Sequence, residues 1–265
     1  MNRQPSSSSS GVYLSRAGTV IAVLFVLVIG NGLLLFLRSS SSLTHNVRAK
    51  WSSVLREHGG VVLFGDSLIR RSFEQHSLAA KIESRLQYKV GFVNEGVEAD
   101  TIARMYYRVG PIVSKLLSRR LFPMAVLILW DSDVSDVNED ILNAAQIKAL
   151  RKNYTTKLRL LLKKLLTTGA YIAVSGPGIL GSYWKTSMLE DYREMNRQVC
   201  EELHVSYIDV RNALLEEESR SGSEVTTDGE HLNDLGTAVI AEVFAAEIEK
   251  WQRGLQRPPS LSQEQ

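Results

Sequence analysis

A single cysteine stands in 265 residues, which excludes an internal disulfide and any cysteine-based zinc cluster. Cys200 falls in an expected helix from Asp191 to Leu203, where a buried apolar thiol is the ordinary outcome. An excess of one charge is also missing. With 31 Lys+Arg against 29 Asp+Glu, nothing electrostatic supports a nucleic-acid partner. His45, His58, His76 and His204 show no metal-ligand spacing. No phosphate-binding glycine loop and no internal repeat is present. No metal or cofactor is expected.

The amino end has its own character. Residues 1–17 are polar and carry a Ser6–Ser10 tract, the composition of a disordered tail. Residues 18–37 then run without a charge, GTVIAVLFVLVIGNGLLLFL. At helical rise this spans about 30 Å, the thickness of a bilayer's hydrocarbon layer. A cleaved signal peptide is the rival reading, but the stretch is long for one and no small-x-small site closes it cleanly. One uncleaved single-pass transmembrane helix is therefore expected, followed by a linker over 38–58. Arg38, Arg48, Lys50 and Arg56 slightly favour a cytosolic body. The short amino tail and the sequon Asn153-Tyr154-Thr155 favour a lumenal or extracellular one, which is the expectation adopted.

The remainder, 59–253, is long enough for one domain, and 254–265 reads as a disordered tail. Five short apolar runs alternate with longer amphipathic stretches. The runs are Val61–Phe64, Val90–Val93, Ala125–Trp130, Ala170–Val174 and Ser206–Val210. Most lack charge, as strands covered on both faces do. Lys148–Leu166 is the clearest helix, with Leu150, Leu158, Leu161, Leu162 and Leu165 near one face and Gly169 placed to close it. A last helix is expected over Leu232–Trp251. The alternation predicts an α/β fold with a five-stranded parallel sheet between helices.

Chemistry concentrates in two places. Val61-Val62-Leu63-Phe64 runs into Gly65-Asp66-Ser67-Leu68, which puts a hydroxyl at the carboxyl edge of the sheet, where open α/β folds bind ligands. A serine there equally often caps the next helix. Far along the chain, Asp228-Gly229-Glu230-His231 offers a base that titrates near neutral pH and a carboxylate three residues before it. Alone, His231 reads as a surface histidine and Asp228 as a helix cap. Paired with Ser67, they read as nucleophile, base and orienting acid.

These blocks resemble the SGNH/GDSL hydrolases over about Val61 to Phe244, at Val62-Leu63-Phe64-Gly65-Asp66-Ser67-Leu68 and at Asp228-Gly229-Glu230-His231-Leu232. The resemblance implies a three-layer α/β/α sandwich of flavodoxin-like topology and a metal-free Ser-His-Asp triad of Ser67, His231 and Asp228. It also implies oxyanion donors. Ser67 offers its N–H, Val93-Asn94-Glu95-Gly96-Val97 matches the block that carries a glycine, and Gly96 would offer another. The third block, Gly-x-Asn-Asp, is here Trp130-Asp131-Ser132-Asp133. The serine hydroxyl of Ser132 stands where an asparagine amide would donate. Loss of one oxyanion donor raises the barrier by roughly 3–4 kcal/mol.

The expectation is a membrane-anchored serine esterase or acylhydrolase that forms an acyl-enzyme on a small acyl ester, either a lipid or an acetylated glycan. Acyl transfer uses the same groups. The alternative is a binding module of the same fold with an impaired site, suggested by the altered Trp130–Asp133 block. Arg70 and Arg71 either steer an anionic substrate or face solvent, and Asp209 is expected to cap a helix.

Overall fold

This computed structural model describes residues 59–86, 90–118, 122–130, 133, 142–176 and 186–256. The expected membrane span at 18–37, its flanking segments at 1–17 and 38–58, and Asp131 and Ser132 lie outside them. Among the described residues no helix is long and apolar enough to cross a membrane.

The elements alternate along the chain: β1 (Gly59–Gly65), α1 (Ser67–His76), α2 (Leu78–Leu86), β2 (Gly91–Gly96), α3 (Ile102–Ser118) and β3 (Phe122–Leu129). Then come α4 (Ala144–Leu166), β4 (Tyr171–Ser175), α5 (Thr186–Glu202), β5 (Ser206–Tyr207), α6 (Val210–Ser221) and α7 (Asp234–Gln256). The strands form one five-stranded sheet in the order β2-β1-β3-β4-β5, parallel throughout. Both faces of the sheet are buried, which is why its strands read as charge-poor runs.

Strand alternation divides the core in two. Val62, Phe64, Val126, Ile128 and Val174 face α3, α4 and α5 through residues such as Val109, Leu158 and Val199. Val61, Leu63, Ala125, Leu127 and Ala173 face α1, α2, α6 and α7 through Ile69, Ile82, Leu214 and Phe244. This is the expected three-layer sandwich. Cys200 is buried in α5, and burial pushes its thiol up to about 12. Asp209 caps α6 as expected, accepting from the Asn212 N–H at 3.2 Å.

Two boundaries differ from the sequence reading. Helix α4 begins at Ala144 because Asn143 and Gln146 form a reciprocal capping box. Helix α7 begins at Asp234, not Leu232, because Leu232 pairs with Thr226 in an isolated antiparallel bridge.

The strand order fixes where a site can form. The chain leaves β1 for β2 on one side and returns to β3 on the other. The connections therefore diverge above the carboxyl ends of β1 and β3, the switch point where such sheets bind ligands. Ser67 follows β1 at that point.

Candidate active site

Helix α1 starts at the nucleophile candidate itself. Asp66 is its N-cap and accepts the Leu68 N–H at 3.0 Å, while Leu68 and Ile69 are buried and hold the first turn down. Glycine at 65 lets the end of β1 lie against the end of β3, since a Cβ would lie 1.8 Å from the Leu129 carbonyl oxygen. Ser67 is thus the first helical residue, and its N–H has no intrahelical acceptor. The helix dipole favours negative charge at this end.

The partner loop joins α6 to α7. Its base is closed by the Thr226–Leu232 bridge and by the Thr227 N–H donating to the His231 carbonyl at 2.8 Å. Asn233 locks the loop to the next helix. Its amide donates to the Glu224 carbonyl at 2.7 Å, and its Oδ1 accepts the Gly236 N–H at 3.0 Å. Buried Val225 and Leu232 anchor the two stems. The Asp228–His231 segment is therefore a loop tip, not the first turn of α7, and Asn233 takes the capping role that the isolated reading gave to Asp228.

Within that tip Asp228 organises the histidine. Oδ1 accepts the N–H groups of Glu230 at 3.1 Å and His231 at 2.7 Å. Oδ2 lies 2.7 Å from His231 Nδ1. A carboxylate only accepts, so Nδ1 carries the proton and Nε2 presents its lone pair. Nε2 stands 3.1 Å from Ser67 Oγ. Partial burial by itself would raise the Asp228 carboxyl. The His231 N–H, the imidazole and the Glu230 N–H outweigh it and hold the group at about 2. Asp228 thus stays anionic over the range in which imidazole titrates.

The glycine expected as an oxyanion donor has a different local explanation. A Cβ on Gly96 would lie 2.4 Å from the Arg70 backbone nitrogen, so glycine lets β2 pack against α1. The Gly96 N–H donates to Asn94 Oδ1 at 2.9 Å. The next turn, residues 97–100, is closed by the Asp100 N–H donating to the Val97 carbonyl at 3.1 Å. Ala99 in that turn has φ 51°, a left-handed conformation unfavourable for a residue with a Cβ.

Of the altered third block, Trp130 and Asp133 are described. Trp130 is fully buried at the end of β3. Asp133 Oδ2 accepts the Ile102 N–H at 2.6 Å and so caps α3. Burial pushes its carboxyl up to about 6, against the Ile102 N–H and Lys157, with Asp66 and Asp100 adding repulsion.

Sequence reasoning passed over one pair at this edge. Arg71, one helical turn beyond Ser67, donates from Nε and Nη2 to the two oxygens of Glu98 at 3.1 and 3.2 Å. Arg70 pairs with Glu74 at 3.4 Å. A separation of 27 residues between Arg71 and Glu98 leaves no local pattern to detect. Among the described residues no group of three or more His, Cys, Asp or Glu side chains is placed to hold a metal ion.

The fold and these blocks have known counterparts. The structure resembles an acetyl xylan esterase at TM-score 0.59 and 18% identity, covering 71% of this chain and 99% of that one. It resembles an acetyl-xylooligosaccharide esterase from Geobacillus at TM-score 0.55 and 18% identity, covering 71% and 93%. A psychrotrophic esterase from Pseudoalteromonas sp., solved with monoethylphosphonate, matches at TM-score 0.55 and 17% identity, covering 73% and 98%. No protein of curated function matches the sequence. Residues 61–244 match the model of the GDSL-like lipase/acylhydrolases. With that match spanning both chemistry-bearing blocks and most of the chain, the protein belongs to the GDSL-like lipase/acylhydrolase family, a family of ester-cleaving hydrolases.

Proposed function

We propose that the protein is a serine esterase acting on a small, short-chain acyl ester, with Ser67 as nucleophile, His231 as general base and acid, and Asp228 as the orienting carboxylate. One observation carries this reading: the continuous chain from Asp228 Oδ2 through the imidazole to Ser67 Oγ, at 2.7 and 3.1 Å. Ser67 Oγ attacks the ester carbonyl as His231 Nε2 takes its proton. His231 then returns the proton to the leaving alcohol, and water releases the acyl group by the same path. Asp228 stays ionised and balances the imidazolium.

The oxyanion is held by the Ser67 N–H, by an N–H of the Gly96–Asp100 segment and by the Ser132 hydroxyl. Within that segment the Gly96 N–H is engaged by Asn94. The Val97 and Asp100 N–H groups are engaged as well, by the Gly65 and Val97 carbonyls, so the donor in this segment is the N–H of Glu98 or of Ala99.

An acetyl ester of a carbohydrate is favoured over a lipid. Two of the similar structures are acetyl xylan or acetyl-xylooligosaccharide esterases. Residues 18–37 tether this domain to a membrane, with the catalytic body on the lumenal or extracellular side. Asn153 is exposed on α4, so an endoglycosidase-sensitive mobility shift that Asn153→Gln abolishes supports that orientation.

Hydrolysis of p-nitrophenyl acetate by the full chain, beside Ser67→Ala, tests the enzymatic reading. Turnover lost in the variant supports it. Turnover that persists undiminished contradicts Ser67 as nucleophile, and a parent chain without turnover supports the binding-module reading of the altered Trp130–Asp133 block.

A further inference from the structure

The 97–100 turn is fixed to its surroundings at several points. The Val97 N–H donates to the Gly65 carbonyl at 3.1 Å, Arg104 Nη1 donates to the Ala99 carbonyl at 3.2 Å, and Asp100 pairs with Arg108. Glu98 adds a side-chain link to the nucleophile's own helix, through the two-pronged bridge to Arg71. A fork-to-fork guanidinium–carboxylate pair fixes distance and orientation together.

The bridge contributes little to folding. The Arg71 and Glu98 side chains are 36% and 41% exposed, and exposed pairs have small net effects on stability. Its surroundings point to the reaction instead. Hydrogen bonds from Arg71 hold the Glu98 carboxyl below its usual range, against partial burial, with the charges of Arg71, Arg70 and His231 adding to the effect. Arg71 in turn lies in the field of Asp228 and Glu230.

We infer that Arg71 and Glu98 are positioning residues for ester cleavage: their bridge holds the 97–100 turn, which carries a proposed oxyanion donor, against the helix that Ser67 opens. This inference rests on the assignment of Ser67 and His231 as nucleophile and base.

The test is steady-state kinetics of the full chain on p-nitrophenyl acetate across pH, with Glu98→Gln, Arg71→Ala, Arg71→Lys and the charge-exchanged R71E/E98R. Glu98→Gln is expected to lower kcat about tenfold with KM little changed. Arg71→Ala should lower kcat by a similar factor, and Arg71→Lys should recover part of that loss. The exchanged pair should recover kcat relative to Glu98→Gln and Arg71→Ala, with thermal midpoints of all variants within about 3 °C of the parent. Ser67-dependent turnover with the same kcat in all variants overturns this inference and leaves the esterase reading intact. Turnover that does not depend on Ser67 overturns both.

Discussion

His231 Nε2 stands 3.1 Å from Ser67 Oγ across 164 residues of sequence. Two rigid supports bring them together. Ser67 opens a helix whose first turn is buried under the sheet edge, and His231 sits on a loop whose stems are tied at Thr226–Leu232 and again by Asn233. Neither group depends on an unsupported segment for its place.

Asp228→Asn keeps the shape of the loop but weakens its control of the ring. An amide presents either an oxygen or an NH2 to Nδ1, so the tautomer that offers Nε2 to serine is no longer enforced. Turnover is expected to fall by about a hundred- to ten-thousandfold, read as kcat on a short p-nitrophenyl ester. The acid stability of the fold should change with it. Because the native carboxyl is held at about 2, below its usual 3.8, it stabilises the fold above pH 4, and that contribution disappears as pH falls toward 2. Denaturant midpoints between pH 4 and pH 2 should therefore fall more steeply in the parent than in Asp228→Asn.

Asp133 carries the opposite sign. Its native carboxyl is raised from 3.8 to about 6, so folding favours the protonated form. That contribution is fully present below pH 4 and lost as pH rises through 6. That difference corresponds to about 3 kcal/mol. Urea melts of the parent should lose stability between pH 4 and pH 6, and Asp133→Asn, which keeps an acceptor for the Ile102 N–H, should flatten that dependence.

Ala99→Gly relieves a left-handed backbone. The conformation costs a residue with a Cβ about 1–2 kcal/mol, while the added freedom of glycine in the unfolded chain takes back about 0.5–1 kcal/mol. A net gain of about 0.5–1 kcal/mol in chemical denaturation is expected, with hydrolysis retained because the N–H remains.

Ser132→Asn restores the longer amide donor. If the hydroxyl is the weak member of the oxyanion hole, kcat should rise, by about tenfold or more, with KM little changed. An unchanged or lower kcat shows that Ser132 does not donate there.

The sequence made some of this legible for physical reasons. β1 and β3 are buried on both faces, so Val61–Phe64 and Ala125–Trp130 announce themselves as charge-free runs. Asp228 and His231 are three residues apart, close enough for one local turn to join them. The start of α7 is not legible because Leu232 is apolar whether it opens a helix or closes a bridge, and the pairing with Thr226 decides between the two. Gly96 is visible in the sequence, but the reason for it is not: what a Cβ would strike is the Arg70 backbone, a contact between a strand and a helix that local pattern does not encode. The Arg71–Glu98 bridge and the capping of α3 by Asp133 escape for the same reason, since each joins residues about thirty apart.

The most direct test of the central claim is covalent labelling of the full chain with a fluorophosphonate, followed by peptide mass spectrometry. The account predicts a phosphonyl adduct on Ser67, absent from Ser67→Ala and strongly slowed in His231→Ala. Labelling at another residue, or labelling of Ser67 at an undiminished rate without the His231 imidazole, contradicts it.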